Sequence, residues 1–122
     1  MAFSFERLTV YQKSLDLVDD CYHLVRLFPP EERFGLIDQL RRAAISIVLN
    51  IAEGSGRTKR DFRNFLRNAR ASCYECAAVL HIAHRRAYIS QDKHNHCAQQ
   101  LTDISKMLSG LMRSLGGGYN EQ

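Results

Sequence analysis

Between Arg41 and Arg57 the chain reads RRAAISIVLNIAEGSGR, and from Ala43 to Ala52 only Ser46 and Asn50 are polar. At about 100° per residue, Leu36, Leu40, Ala43, Ala44, Ile47 and Ile51 fall on one face of a helix. Ile45, Leu49 and Ala52 fall on a second face. Arg42, Ser46, Asn50 and Glu53 share a narrow polar stripe between the two. A surface helix of a monomer carries one apolar face, so this helix is expected to be covered by more than its own chain's core. Ile45 and Leu49 are the candidate subunit contacts. Gly54 and Gly56 are expected to release the chain from the helix, because glycine tolerates positive φ.

The flanking segments carry three more helical patterns. The first runs from about Phe5 or Glu6 to Leu27, with Leu8, Tyr11, Leu15, Val18, Tyr22 and Val25 as its core stripe. Pro29-Pro30 closes it. Thr58 is the expected N-cap of a third helix reaching roughly Ala87, with Asp61 in its first turn. Its apolar stripe is Phe62, Phe65, Leu66, Ala69, Cys73, Cys76, Ala77, Leu80 and Ala83. Ser90 caps a fourth helix that reaches about Leu115, and Gly116-Gly117-Gly118 ends it. Short connections between four helices predict an all-α, antiparallel up-and-down bundle. Residues 1–115 form the single domain and 116–122 a flexible tail.

The net charge of +4 is unevenly spread. Residues 57–70 hold Arg57, Lys59, Arg60, Arg63, Arg67 and Arg70 against Asp61 alone, a local +5, while the other 108 residues hold eleven basic and twelve acidic side chains. One segment therefore accounts for the basicity, which points to a surface facing a polyanion. On a helical wheel Lys59, Arg60, Arg63, Arg67 and Arg70 lie within about 100°, beside the apolar stripe, and Arg85 continues the arc. Arginines one turn apart suit successive phosphates. Few aromatic residues interleave with them, which favours backbone contact over base stacking. The bland reading is a solvated helix face.

Ser46-x-x-x-Asn50-Ile51-Ala52-Glu53-Gly54-x-Gly56-Arg57, preceded by Gln39-Leu40-Arg41-Arg42-Ala43, resembles the signature of a bacterial four-helix-bundle family, also called the S23 or 23S rRNA intervening-sequence protein family. Phe62-x-x-Phe65-Leu66-x-x-Ala69-x-x-Ser72-x-x-Glu75, the opening Phe5-x-x-Leu8-x-Val10-Tyr11-Gln12 and Tyr88-Ile89-Ser90 extend the resemblance over nearly the whole chain. One departure is Ala87, where many members carry glycine. The resemblance implies a closed bundle that assembles as a homopentameric ring, with relatives encoded inside 23S rRNA genes. It also implies kinship with the accessory proteins of diversity-generating retroelements, which bind RNA and a reverse transcriptase through a basic surface.

The remaining constellations read as structural. Arg42, Ser46, Asn50 and Glu53, with Ser72 and Glu75 on the third helix, are expected to form a polar network satisfying the Gly54-to-Thr58 turn, with Arg42 or Arg57 neutralising a glutamate. Cys73 and Cys76, with Cys21 at a similar height, occupy core positions where a thiol packs as a small apolar group. His81-x-x-His84 and His94-x-His96-Cys97 complete the possible ligands, but the spacing lacks the paired turns of a zinc site. No metal, cofactor or catalytic pairing is expected, so the chain is read as a non-enzyme. No signal peptide or membrane span is recognisable, which implies a cytoplasmic protein with reduced cysteines. The leading expectation is a ring-forming protein that binds structured RNA, 23S rRNA or a ribonucleoprotein, through Arg57, Lys59, Arg60, Arg63, Arg67 and Arg70. The alternative is a protein-interaction scaffold whose basic face docks an acidic partner.

Overall fold

The computed structural model describes residues 3–116. Four helices, α1 (Thr9–Leu24), α2 (Leu36–Ser55), α3 (Lys59–Arg85) and α4 (Gln91–Ser114), carry the fold, and no strand occurs among the described residues. The α2–α3 and α3–α4 connections are short, and residues 25–35 join α1 to α2 through two 3₁₀ turns, so neighbours run antiparallel. α2 packs most extensively on α3, α3 on α4, and α1 closes the bundle against α2 and α4. One apolar core runs through all four, from Leu17 and Cys21 through Leu40, Ile47 and Leu66 to Leu108. The tail expected beyond Gly116 lies outside the described residues.

The first helix is shorter than expected and its buried face is rotated. A 3₁₀ turn, Ser4–Arg7, precedes it and is held by a hydrogen bond from Phe3 N to Glu6 Oε2 at 2.8 Å. A second, Val25–Leu27, follows it, and Phe28 adopts the extended geometry that a following proline requires. The core side of α1 is Val10, Ser14, Leu17, Cys21 and Leu24. Most of the expected stripe lies about a quarter turn away; Leu8, Tyr11 and Val18 border the core and Tyr22 is 43% exposed, while Val25, beyond the end of α1, is buried as expected. Ser14 breaks the central stripe in hydropathy, yet its hydroxyl donates to Val10 O at 2.7 Å and costs the core no unpaired polar group.

The α2 segment places its first apolar face in the core, as the wheel indicates, with Leu40, Ala43, Ala44, Ile47 and Ile51 buried. Its end differs from expectation. The helix continues through Gly54 to Ser55, and Gly56 has φ −88°, so neither glycine supplies a left-handed turn. Gly54 is buried for another reason: a Cβ there would lie 2.6 Å from Phe65 Cβ and 2.8 Å from Phe62 Cδ1. The α2–α3 contact closes on bare backbone at this point. The turn then satisfies itself, with Arg57 N donating to Gly54 O at 3.0 Å and Ser55 Oγ to Ala52 O at 2.8 Å.

Thr58 and Ser90 cap α3 and α4 as expected, accepting from Asp61 N and Lys93 N, each at 3.2 Å. α3 ends at Arg85 in a Schellman arrangement: Tyr88 N donates to Ala83 O and Ala87 N to His84 O, both at 2.9 Å. This arrangement requires a left-handed residue, and Ala87 occupies it with φ 63°. An alanine Cβ is strained there. Replacing Ala87 with glycine is expected to raise stability by about 0.5–1 kcal/mol, a net of relieved strain against greater unfolded-state entropy. Equilibrium urea unfolding measures it; an unchanged or lowered midpoint contradicts the strain.

Candidate nucleic-acid interface

The basic stripe begins where the Thr58 cap fixes the first turn of α3. Lys59 and Arg60 stand exposed there, and neither has an ion pair among the described residues. From the next turn onward the stripe leans on α4. Arg63 Nη1 donates to Leu115 O at 3.0 Å, Arg70 Nη1 to Ser109 Oγ at 3.0 Å, and Arg67 Nη1 to Asn64 Oδ1 at 2.6 Å. All three arginines are half-buried. Arg63 thus places a cation at the carbonyl end of α4, where the helix dipole is negative. Arg57 is held differently: Nη2 meets Glu53 Oε2 at 2.9 Å, and the guanidinium lies 5.3 Å from the centre of the Phe65 ring.

Five of the six basic residues therefore divide into two parts, and Arg57 stands apart on its ion pair with Glu53. Lys59 and Arg60 are exposed point charges at the α3 N-terminus. Arg63, Arg67 and Arg70 are guanidiniums each held by a hydrogen bond within the folded protein, which lowers the entropic cost of presenting them to an anion. The sequence reading missed the role of α4 in this anchoring. Its only signal was the position of the arginines at the border of the apolar stripe.

The other expected site residues do not gather into one network around the turn. Ser72 Oγ donates to Ser46 Oγ at 2.9 Å, and Asn50 Nδ2 donates to Ser46 O and Ser46 Oγ at 2.8 and 3.1 Å. This Ser72–Ser46–Asn50 chain pins α3 to α2. Glu75 instead accepts from Gln39 Nε2 at 2.6 Å, Arg42 pairs with Asp38 at 3.0 Å, and Glu53 pairs with Arg57. The turn's backbone uses none of these side chains, because its own carbonyls and amides are already matched. Ile45 is half-buried and Leu49 is 60% exposed, so the second face of α2 forms an apolar ridge on the surface.

A second exposed apolar row was also missed. Tyr74, Ala77, Ala78 and Ile82 repeat at helical spacing along the outside of α3, and Tyr74 is 62% exposed. Ala77 belongs to this row and not to the core, contrary to the expectation from its stripe. The four cysteines are buried free thiols. Burial pushes Cys21 and Cys73 up to about 12 and raises Cys76 and Cys97 as well, so all four pack as neutral thiols. Among the described residues no three His, Cys, Asp or Glu side chains are grouped to hold a metal ion. No helix among them is long and apolar enough to cross a membrane.

Comparison with known proteins bears on the same surfaces. A crystal structure from Bacteroides thetaiotaomicron, described as a protein with unknown function from the S23 ribosomal protein family, superposes with a TM-score of 0.79 at 26% identity. The match covers 86% of this chain and 99% of that one. No functionally curated protein matches the sequence. The family model described as 23S rRNA-intervening sequence protein matches residues 6–110, a span that includes the α2 segment, the basic stripe and all three helix connections. The chain belongs to the 23S rRNA-intervening sequence protein family.

Proposed function

We propose that this protein is a non-enzymatic, cytoplasmic RNA-binding protein that assembles into a homo-oligomeric ring and presents the basic surface of α3 to structured RNA. The observation that carries this reading is the concentration of +5 within residues 57–70 on a surface where Arg63 and Arg70 are anchored against α4. The family's name refers to 23S rRNA, which favours RNA over an acidic protein as the polyanion. A ring would present the stripe several times, and linked weak phosphate contacts add through avidity.

The apolar ridge of α2 supports assembly. Replacing Leu49 with aspartate is expected to reduce the solution mass to that of a single chain, as measured by light scattering, because a charge cannot be desolvated within an apolar contact. A folded variant with the wild-type mass would place the contact elsewhere. RNA binding is tested by titrating the nuclease-treated protein with a structured 23S rRNA fragment across a salt series. Binding should weaken steeply as salt rises, with the logarithmic slope set by the number of phosphates neutralised. Absence of binding at low salt rejects the RNA reading and leaves the stripe as a face for an acidic protein partner.

A further inference from the structure

Three histidines outside the basic stripe meet across the α3–α4 end of the bundle. The His94 ring lies 4.7 Å from His84 with 12° between their planes, and 5.5 Å from His81 with 21° between planes. His84 is in the last turn of α3, and His94 is in the first turn of α4. An open groove of about 230 Å³ at this end is lined by His81, His94, Ala77, Leu80, Ala98 and Leu101. We propose that this imidazole stack is an acid-sensitive latch, which holds the α3–α4 end closed while its rings are neutral and releases it when they are protonated.

The physical argument begins with the charges that face the stack. On α3 they are His81, His84 and the following Arg85; on α4, Lys93 adjoins His94. No carboxylate lines the groove. The acids at this end of the bundle face other surroundings. Asp20 of α1 and Asp92 of α4 line a different groove on the α1 side, where Asp20 Oδ2 lies 3.3 Å from His96 Nε2. Glu32, beneath the connection, accepts from Tyr88 Oη at 3.0 Å and Leu36 N at 3.3 Å. A second positive charge in the stack therefore meets repulsion with no counterion.

Helix polarity adds to the repulsion at His94, because the positive end of α4 opposes a proton there. Burial, followed by the proximity of His84 and then His81, holds His94 below the ordinary histidine range. A histidine lowered in this way is protonated more readily in the unfolded chain. Stability is complete above about 6.5, the usual histidine value, and is lost as pH falls through that value toward the lowered one.

The same end carries two further local costs. His94 Nδ1 is buried without a hydrogen-bond partner, and Ala87 holds its left-handed geometry in the connection. Both lower the local opening free energy, which makes this end the place where a modest repulsion tells. Opening uncovers Leu80 and Leu101, which are buried in the closed form.

Hydrogen exchange at pH 7.5 and 5.0, corrected for intrinsic rates, tests the latch. In the wild-type protein, protection across residues 80–97 is expected to fall by roughly threefold or more at pH 5.0, while the α2–α3 turn keeps its protection. His94→Phe retains a stacking ring that cannot be protonated, and its protection at this end should be the same at both pH values. Wild-type protection that is independent of pH, or an equal loss in the variant, overturns the proposal. Should the variant not fold, NMR titration of the wild-type histidines decides: His94 titrating last and lowest supports the latch, and three independent titrations near the ordinary value reject it.

Discussion

Gly54→Ala is expected to destabilise the protein by roughly 1–3 kcal/mol, although alanine is the better helix former. Gly54 lies within α2, where propensity alone favours alanine by about 1 kcal/mol. The opposing term is steric. The added Cβ would meet Phe65 Cβ at 2.6 Å, and that atom is fixed to the backbone of α3. No rotamer change relieves the overlap; the two helices must separate, and the contact they share is the most extensive in the bundle. Gly56→Ala is the matched control. Its φ is −88° and the nearest atom to its Cβ is Glu53 O at 3.8 Å, so its stability should change by no more than about 0.5 kcal/mol. Urea unfolding of both variants separates packing from turn geometry. If Gly54→Ala matched the wild type, or if Gly56→Ala were the more damaging, glycine would serve this turn through conformational freedom after all.

That pair also shows where sequence reasoning reached and where it stopped. Four helices, the Thr58 and Ser90 caps and the first face of α2 were legible, because each rests on local periodicity or on a side chain bonding its own backbone. Gly54 was visible as a glycine, but its reason was not, since close approach depends on Phe62 and Phe65 from another helix. The rotated face of α1 has a related cause. Ser14 looks like an interruption, and only the packed bundle shows a back-bonded hydroxyl at its centre. Ala87 is the opposite case: its departure from the usual glycine is visible as a pattern, and φ 63° supplies the physical reason. Of the candidate site, the stripe on α3 was legible from charge spacing. Its division into exposed and anchored parts was not, because Ser109 and the Leu115 carbonyl come from α4, 39 and 52 residues away in sequence.

This division determines how the RNA-binding proposal is best challenged. Arg63→Glu would remove a cap from α4 along with a charge, so weaker binding would be ambiguous. Lys59 and Arg60 carry no such structural duty among the described residues and are exposed at the α3 N-terminus. The double variant Lys59→Glu/Arg60→Glu should keep the wild-type unfolding midpoint, with a small gain from placing acids in the first helical turn. Its affinity for a structured RNA should fall by roughly 10–100-fold at low salt, and the slope of log affinity against log salt should shrink by about 1.5–2. Those two changes belong together, since a phosphate that is no longer neutralised contributes neither attraction nor counterion release. A control that reverses Arg26 and Arg33, exposed in the α1–α2 connection at the opposite end of the antiparallel bundle from the α3 N-terminus, makes the same change in net charge away from Lys59 and Arg60. If both double variants bound equally weakly, binding would follow net charge alone, and the stripe would have no privileged role. If the Lys59/Arg60 variant bound as tightly as the wild type with an unchanged salt slope, the α3 N-terminus would lie outside the contact. A steep drop in affinity confined to that variant would locate the polyanion against the exposed end of α3, beside the ordered guanidiniums of Arg63, Arg67 and Arg70.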